Sequence, residues 1–254
     1  MKLHGPRRLI IGGAVATFVA LLLALVHEVR DLERAPLDDA ARRAAPGRFV
    51  RLADGLTHYG LTGPDSSRTV VLWSGASVPY YLWDPTRDAL VTAGYRVLRF
   101  DYFGRGWSDR PDADYDLNMF DRQLAGLLDS LGVRIPVDLA GVSMGGVVAA
   151  DFARRRPTRV RSLILIAPGF AMITLRADVM RPSAEEFGEI NRRNVPLLLI
   201  WGRGDHTVPF VRSTEVRRAF PCAEFHVIDS ARHIPQYERP EIVDALLLRL
   251  LRAH

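Results

Sequence analysis

Ser143 lies in Gly141-Val142-Ser143-Met144-Gly145-Gly146, a G-x-S-x-G pattern. An apolar run precedes it and a helix-forming segment follows. A serine at the tip of such a strand–turn–helix elbow is strained and exposed, and its neighbours must be small because strand and helix pass close together there. The start of the following helix also favours developing negative charge. A serine hydroxyl is a poor nucleophile until a base takes its proton. Of the seven histidines, His4 and His27 flank an apolar segment, His58 sits in an early strand, His226 lies inside an apolar strand as a packed residue, and His254 is the terminus. His206 directly follows a better candidate acid. His233 remains as the general base, in Asp229-Ser230-Ala231-Arg232-His233-Ile234-Pro235. An acid must orient its imidazole. Asp205, in Trp201-Gly202-Arg203-Gly204-Asp205, is the favoured candidate. Asp229 is the rival, but it is only four residues from His233 and reads better as a strand-end residue.

The elements that would position these groups alternate. Residues 49–53 and 57–61 read as a hairpin around Asp54-Gly55. Strands follow at 69–73, 96–100, 137–141, 160–167, 195–201 and 224–228. Helices are expected at 81–93, 117–131, 144–155, 184–192, 212–219 and 240–252. Continuous apolar runs between helices imply an α/β fold, a mostly parallel sheet with helices on both faces. The loops carrying Ser143, Asp205 and His233 all leave the carboxyl ends of strands, so they share one edge of the sheet. The chain order Ser143, Asp205, His233 is the one expected for this fold.

These features resemble the α/β-hydrolase superfamily over roughly residues 48–252. Asp101-Tyr102-Phe103-Gly104-Arg105-Gly106-Trp107-Ser108 is similar to its D-x-x-G-x-G-x-S loop, with Asp101 and Ser108 read as structural hydrogen-bonding residues. The resemblance implies that Ala76 N–H and Met144 N–H form the oxyanion hole. The family usually carries His-Gly after its third strand; here the segment is Trp73-Ser74-Gly75-Ala76-Ser77. Backbone donors need no particular side chain, so Ser74 does not abolish the hole, but what supports that loop is open. The family's helical cap is also short of residues. Only 168–194 separate two strands, and part of that is a crossover helix, so the expectation is a minimal cap or none.

With 254 residues, 48% of them hydrophobic, the chain is long enough for one sizeable core. The net charge is +5 and the sequence pI is about 9.8, almost entirely from arginine, since Lys2 is the sole lysine. The arginines are scattered apart from Arg154, Arg155 and Arg156, which argues against a nucleic-acid partner. Cys222 is the only cysteine, so no intramolecular disulfide and no cysteine-rich metal site can form. Neither a metal nor an organic cofactor is implied.

Residues 9–26 are uncharged, mostly apolar, and follow Lys2, Arg7 and Arg8. Such a segment matches roughly the thickness of a bilayer core, and the preceding cations would keep its N-terminus in the cytoplasm. The favoured expectation is an anchor or signal segment at 1–26, a linker at 27–47 and a catalytic domain at 48–254 on the non-cytoplasmic side. The alternatives are secretion after cleavage and a buried core helix. Against cleavage, no small-x-small site closes the run.

The expected activity is hydrolysis of carboxylic esters with apolar or lipid-derived acyl groups. Acyl transfer, amide or carbon–carbon bond hydrolysis, and a non-catalytic anchored binding protein are the alternatives.

Overall fold

The computed structural model describes residues 37–76, 80–170 and 187–254. The chain divides into two compact units, Met1–Ala45 and Pro46–His254. In the first, the described part holds one short helix, α1 (Asp39–Ala44), whose N-cap Asp38 accepts a hydrogen bond from Ala41 N at 2.7 Å. The 9–26 segment lies outside the described residues. Among the described residues, no helix is long and apolar enough to cross a membrane.

The second unit is built on eight strands: β1 (Arg48–Leu52), β2 (Gly55–Thr62), β3 (Thr69–Trp73), β4 (Arg96–Phe100), β5 (Val137–Val142), β6 (Val160–Ile166), β7 (Leu197–Gly202) and β8 (Glu224–Ile228). They form a single sheet in the order β1-β2-β4-β3-β5-β6-β7-β8. β2 runs antiparallel to both β1 and β4, and every other pair is parallel. This is the expected architecture. Central strands are buried on both faces, and their side chains divide with period two. Val71 and Trp73 enter one core with Val137 and Leu139; Val70 and Leu72 enter the other with Ala140 and Val142.

Helices α3 (Leu117–Ser130), α4 (Met144–Arg155), α5 (Gly188–Arg192) and α6 (Ser213–Ala219) cover the first face through Leu124, Val147, Ile190 and Val216. α2 (Asp84–Thr92) and α8 (Pro240–Ala253) cover the second through Leu90, Val243 and Leu247. A short helix, α7 (Pro235–Glu238), precedes α8 and was not anticipated from the sequence.

Several boundaries move for physical reasons. The hairpin turn falls on Ala53 and Asp54, one residue earlier than expected, because Leu52 pairs with Gly55. Residues 80–83 form a 3₁₀ turn, and α2 starts only at Asp84, where Pro85 suits the first helical turn. β7 starts at Leu197 rather than at residue 195, with Pro196, which has no N–H to give a ladder, just before it. His226 is a correction of another kind. Instead of packing in an apolar strand, it sits half-exposed on the edge strand β8, with Nε2 2.6 Å from Glu224 Oε1 and 3.0 Å from Arg249.

Arg154 and Arg155 bond to buried Asp151, and Arg156 to Asp121, so this arginine run is engaged within the fold. The region expected to form the minimal cap lies mostly outside the described residues. Of the crossover helix expected at 184–192, α5 forms from Gly188 with Phe187 as its N-cap, and residues 184–186 lie outside the described residues.

Candidate active site

The order of the central strands determines where a site can form. The chain leaves β3 for β4 on one side and returns to β5 on the other, so β3 and β5 are neighbours whose connections diverge. The crevice at their carboxyl ends is a topological switch point, where open α/β sheets bind ligands. Trp73 and Gly141 are paired across it. The segment after Trp73 carries Ala76, and the segment after Gly141 carries Ser143.

Ser143 adopts φ 56° and ψ −122°, the strained elbow conformation expected for it. Its N–H donates to Ile166 O at 2.9 Å, and its carbonyl accepts from Gly146 N and Gly169 N, each at 3.1 Å. The flanking glycines are sterically required. A Cβ on Gly141 would lie 2.3 Å from Gly145 O, and one on Gly145 would lie 2.4 Å from Ser74 O. Met144 opens α4 directly after the elbow, so its amide belongs to the unsatisfied first turn of the helix. Gly75 passes against Ser143: a Cβ built there would be 3.2 Å from Ser143 Cβ.

Asp205 and His233 come from the loops after β7 and β8, and the backbone ties these loops together. Arg203 N donates to Ile228 O and Gly204 N to Ala231 O, both at 3.0 Å. Gly202 has no room for a side chain there, since its Cβ would lie 1.9 Å from Arg232 O. Asp205 is buried. Its Oδ1 accepts from Thr207 N and Val208 N at 2.8 Å each, and its Oδ2 lies 2.9 Å from His233 Nδ1. With one oxygen fixed by two amides, the other faces the imidazole in a single orientation. When Nδ1–H donates to Asp205, the neutral ring keeps Nε2 as an acceptor. Among the described residues, neither His233 Nε2 nor Ser143 Oγ has a hydrogen-bond partner, so the structure joins acid to base without a closed bond from base to serine. Hydrogen bonds of this kind commonly tighten only around a bound substrate.

The rival acid is placed elsewhere. Asp229 is 75% exposed in its side chain and paired with Arg203. His206 is exposed.

Asp101 and Ser108 are buried and make structural hydrogen bonds, as expected. Asp101 Oδ2 is 2.8 Å from His58 Nδ1 and accepts from Trp107 N at 3.0 Å. Ser108 Oγ donates to Asp101 O and accepts from His58 N.

The contacts of three side chains were not legible in the sequence. Glu238 brackets the histidine: its carboxylate accepts from Arg232 N at 2.7 Å and from Ile234 N at 3.1 Å. Tyr102 OH donates to Gly75 O at 2.8 Å, and Arg105 Nε donates to Ala76 O at 2.6 Å. Glu238 is the last residue of α7 and Ile234 is its N-cap, so no capping-box pattern marks it in the sequence. No sequence signal distinguishes Tyr102 or Arg105 from ordinary loop residues.

Comparison with known proteins places this geometry in context. Residues 58–189 match the family described as the alpha/beta hydrolase fold. The chain is 27% identical over 281 residues to the 2-hydroxy-6-oxononadienedioate/2-hydroxy-6-oxononatrienedioate hydrolase of Paraburkholderia phymatum, covering 82% of this chain and 96% of that protein. It is 28% identical over 158 residues to the carboxylesterase YbfK of Bacillus subtilis, covering 62% of this chain and 52% of that enzyme. Among solved structures, a predicted CIB-like hydrolase from Thermoplasma acidophilum superposes with a TM-score of 0.70 at 23% identity, covering 82% of this chain and 97% of that one; this likeness is one of fold.

Proposed function

This chain belongs to the α/β-hydrolase family, and from that premise we propose that it hydrolyses carboxylic esters through an acyl-enzyme on Ser143. The observation that carries the reading is the Asp205–His233 pair, whose imidazole keeps Nε2 available, on the same sheet edge as a serine held at positive φ.

In this mechanism Ser143 Oγ attacks the ester carbonyl while His233 Nε2 takes its proton. Asp205 holds the ring and stabilises the imidazolium that forms. The oxyanion of the tetrahedral intermediate is received by the amides of Ala76 and Met144. Collapse expels the alcohol, which takes the proton from His233. Water then attacks the acyl-enzyme with the same histidine as base, releasing the carboxylic acid and restoring Ser143. Apolar or lipid-derived acyl groups are the proposed substrates. We also propose that residues 9–26 anchor the protein, with the catalytic unit on the non-cytoplasmic side; Lys2, Arg7 and Arg8 support that orientation.

A second reading keeps the three residues and changes the bond broken. The Paraburkholderia relative is named for a 2-hydroxy-6-oxo dienedioate, a ketone-bearing dicarboxylate. Hydrolysis of a carbon–carbon bond beside that ketone is an addition to a carbonyl, so it draws on the same oxyanion site.

The test is labelling by a fluorophosphonate probe, followed by turnover of p-nitrophenyl esters of graded chain length beside a 2-hydroxy-6-oxo dienoate. Labelling that is lost in Ser143→Ala, with ester turnover, is the expected result. Absence of Ser143-dependent labelling sinks both readings, and turnover of the dienoate alone selects the second.

A further inference from the structure

Ala76 N–H does not stand alone: it belongs to the peptide unit whose carbonyl is Gly75 O. In a planar trans peptide, the C=O and N–H vectors point in opposite directions. A hydrogen bond that fixes Gly75 O therefore also fixes where Ala76 N–H points. That bond is present, since Tyr102 OH donates to Gly75 O at 2.8 Å from a buried position. The next peptide unit is held as well, by Arg105 Nε on Ala76 O at 2.6 Å. The two planes flanking the Ala76 Cα are thus each pinned by a side chain from the loop after β4.

The pinning loop is itself rigid. Phe103 N donates to Gln123 Oε1 at 3.0 Å, and Gln123 Nε2 reaches Asp101 O at 3.2 Å and Thr57 Oγ1 at 3.0 Å. The Tyr102 ring packs edge-on against Phe120 with centroids 5.5 Å apart. Burial pushes the Tyr102 phenol well above its ordinary pKa, so it stays a protonated donor across the working range. The segment being pinned passes directly over Ser143 at Gly75.

We infer that Tyr102 and Arg105 are positioning residues that hold the Ala76 amide in its oxyanion-binding orientation. Neither side chain touches the reacting atoms. Each acts through a backbone carbonyl, and the donor they aim is a main-chain N–H. The inference rests on the acyl-enzyme reading above.

The experiment compares Tyr102→Phe, Arg105→Ala and the double variant with the unaltered full chain. Active sites are titrated with the fluorophosphonate, so kcat is read per competent serine. Misplacing one oxyanion donor should cost less than deleting it, which typically costs about 10²–10³ in kcat. Tyr102→Phe is expected to lower kcat about tenfold or more with KM within about twofold, Arg105→Ala to lower it less, and the double variant to approach the loss of a donor. A trifluoromethyl ketone, which forms a charged tetrahedral adduct on serine, should lose affinity by the same factor as kcat falls. A purely structural role would lower the titrated fraction and the Tm but leave kcat per site and ketone affinity unchanged. That outcome, or a double variant with wild-type kcat, overturns the inference while leaving the acyl-enzyme reading intact. An unaltered protein that is neither labelled nor active on esters overturns both.

Discussion

His58 and Asp101 form a pair 2.8 Å apart, and His233 and Asp205 form one 2.9 Å apart. Both use histidine Nδ1 and aspartate Oδ2, and both aspartates are buried. The difference lies at the second ring nitrogen. His58 Nε2 faces the carbonyl of Pro46, so that nitrogen is occupied within the fold. The His58 side chain is 0% exposed and lies against the rings of Phe49 and Tyr80. His233 is 18% exposed, and its Nε2 has no protein partner among the described residues. The same two residue types at the same separation thus make a structural tie in one place and, in the other, leave a ring nitrogen open, as the proposed general base requires. A histidine–aspartate pair becomes chemistry only where the far nitrogen is left open toward a reacting group.

The contrast breaks first if the two histidines behave alike on substitution. His233→Ala is expected to lower ester turnover about 10³-fold or more, and Asp205→Asn, which disturbs the tautomer, by a comparable order, both with a cooperative unfolding transition. Asp229→Asn is the control, expected to stay within about twofold, because an exposed pair contributes little. Steady-state kinetics with thermal melts read all three.

His58→Ala should act in the opposite sense. It leaves buried Asp101 with backbone amide donors but without its histidine, at a cost on the order of 3 kcal/mol. Denaturant unfolding should show that loss, while kcat per titrated site in the folded fraction stays within a few-fold.

A third carboxylate sharpens the comparison. Asp244 on α8 is pushed up to about 6, mainly by burial, with Glu241 adding to the rise and Thr86 opposing it. Among the described residues its Oδ1 is buried without a hydrogen-bond partner. A carboxyl raised on folding binds more protons in the native state than in the unfolded one, so stability falls as pH rises from the unfolded value of 3.8 through about 6. Asp244→Asn removes that dependence. The Tm of the variant should exceed the parent's at about pH 7.5, and the difference should shrink toward pH 4.

Much of the central architecture was legible because its signals are local. Thr69–Trp73, Arg96–Phe100 and Glu224–Ile228 form strands where apolar runs end in turn residues, and Met144–Arg155 forms a helix where the elbow opens it. Errors arose where local pattern competes with environment. His226 looked buried because its neighbours are apolar, but β8 is an edge strand and leaves that side half-exposed. Ala167 takes φ 41° at the end of β6 without the glycine that would have signalled it.

The sequence by itself determined the elbow at Ser143, since only small residues fit at Gly141 and Gly145, and it determined that Asp205 and His233 follow strands opening on the same edge. Those outcomes depend on chain order and on the size of near neighbours, which a sequence states directly. The tertiary structure alone decided which histidine keeps a free nitrogen, that Glu238 brackets His233, and that Tyr102 and Arg105 pin the loop beside Ser143. A hydrogen bond depends on the direction of a donor toward an acceptor, and across packed elements that direction is set by how the strands and loops assemble rather than by spacing along the chain.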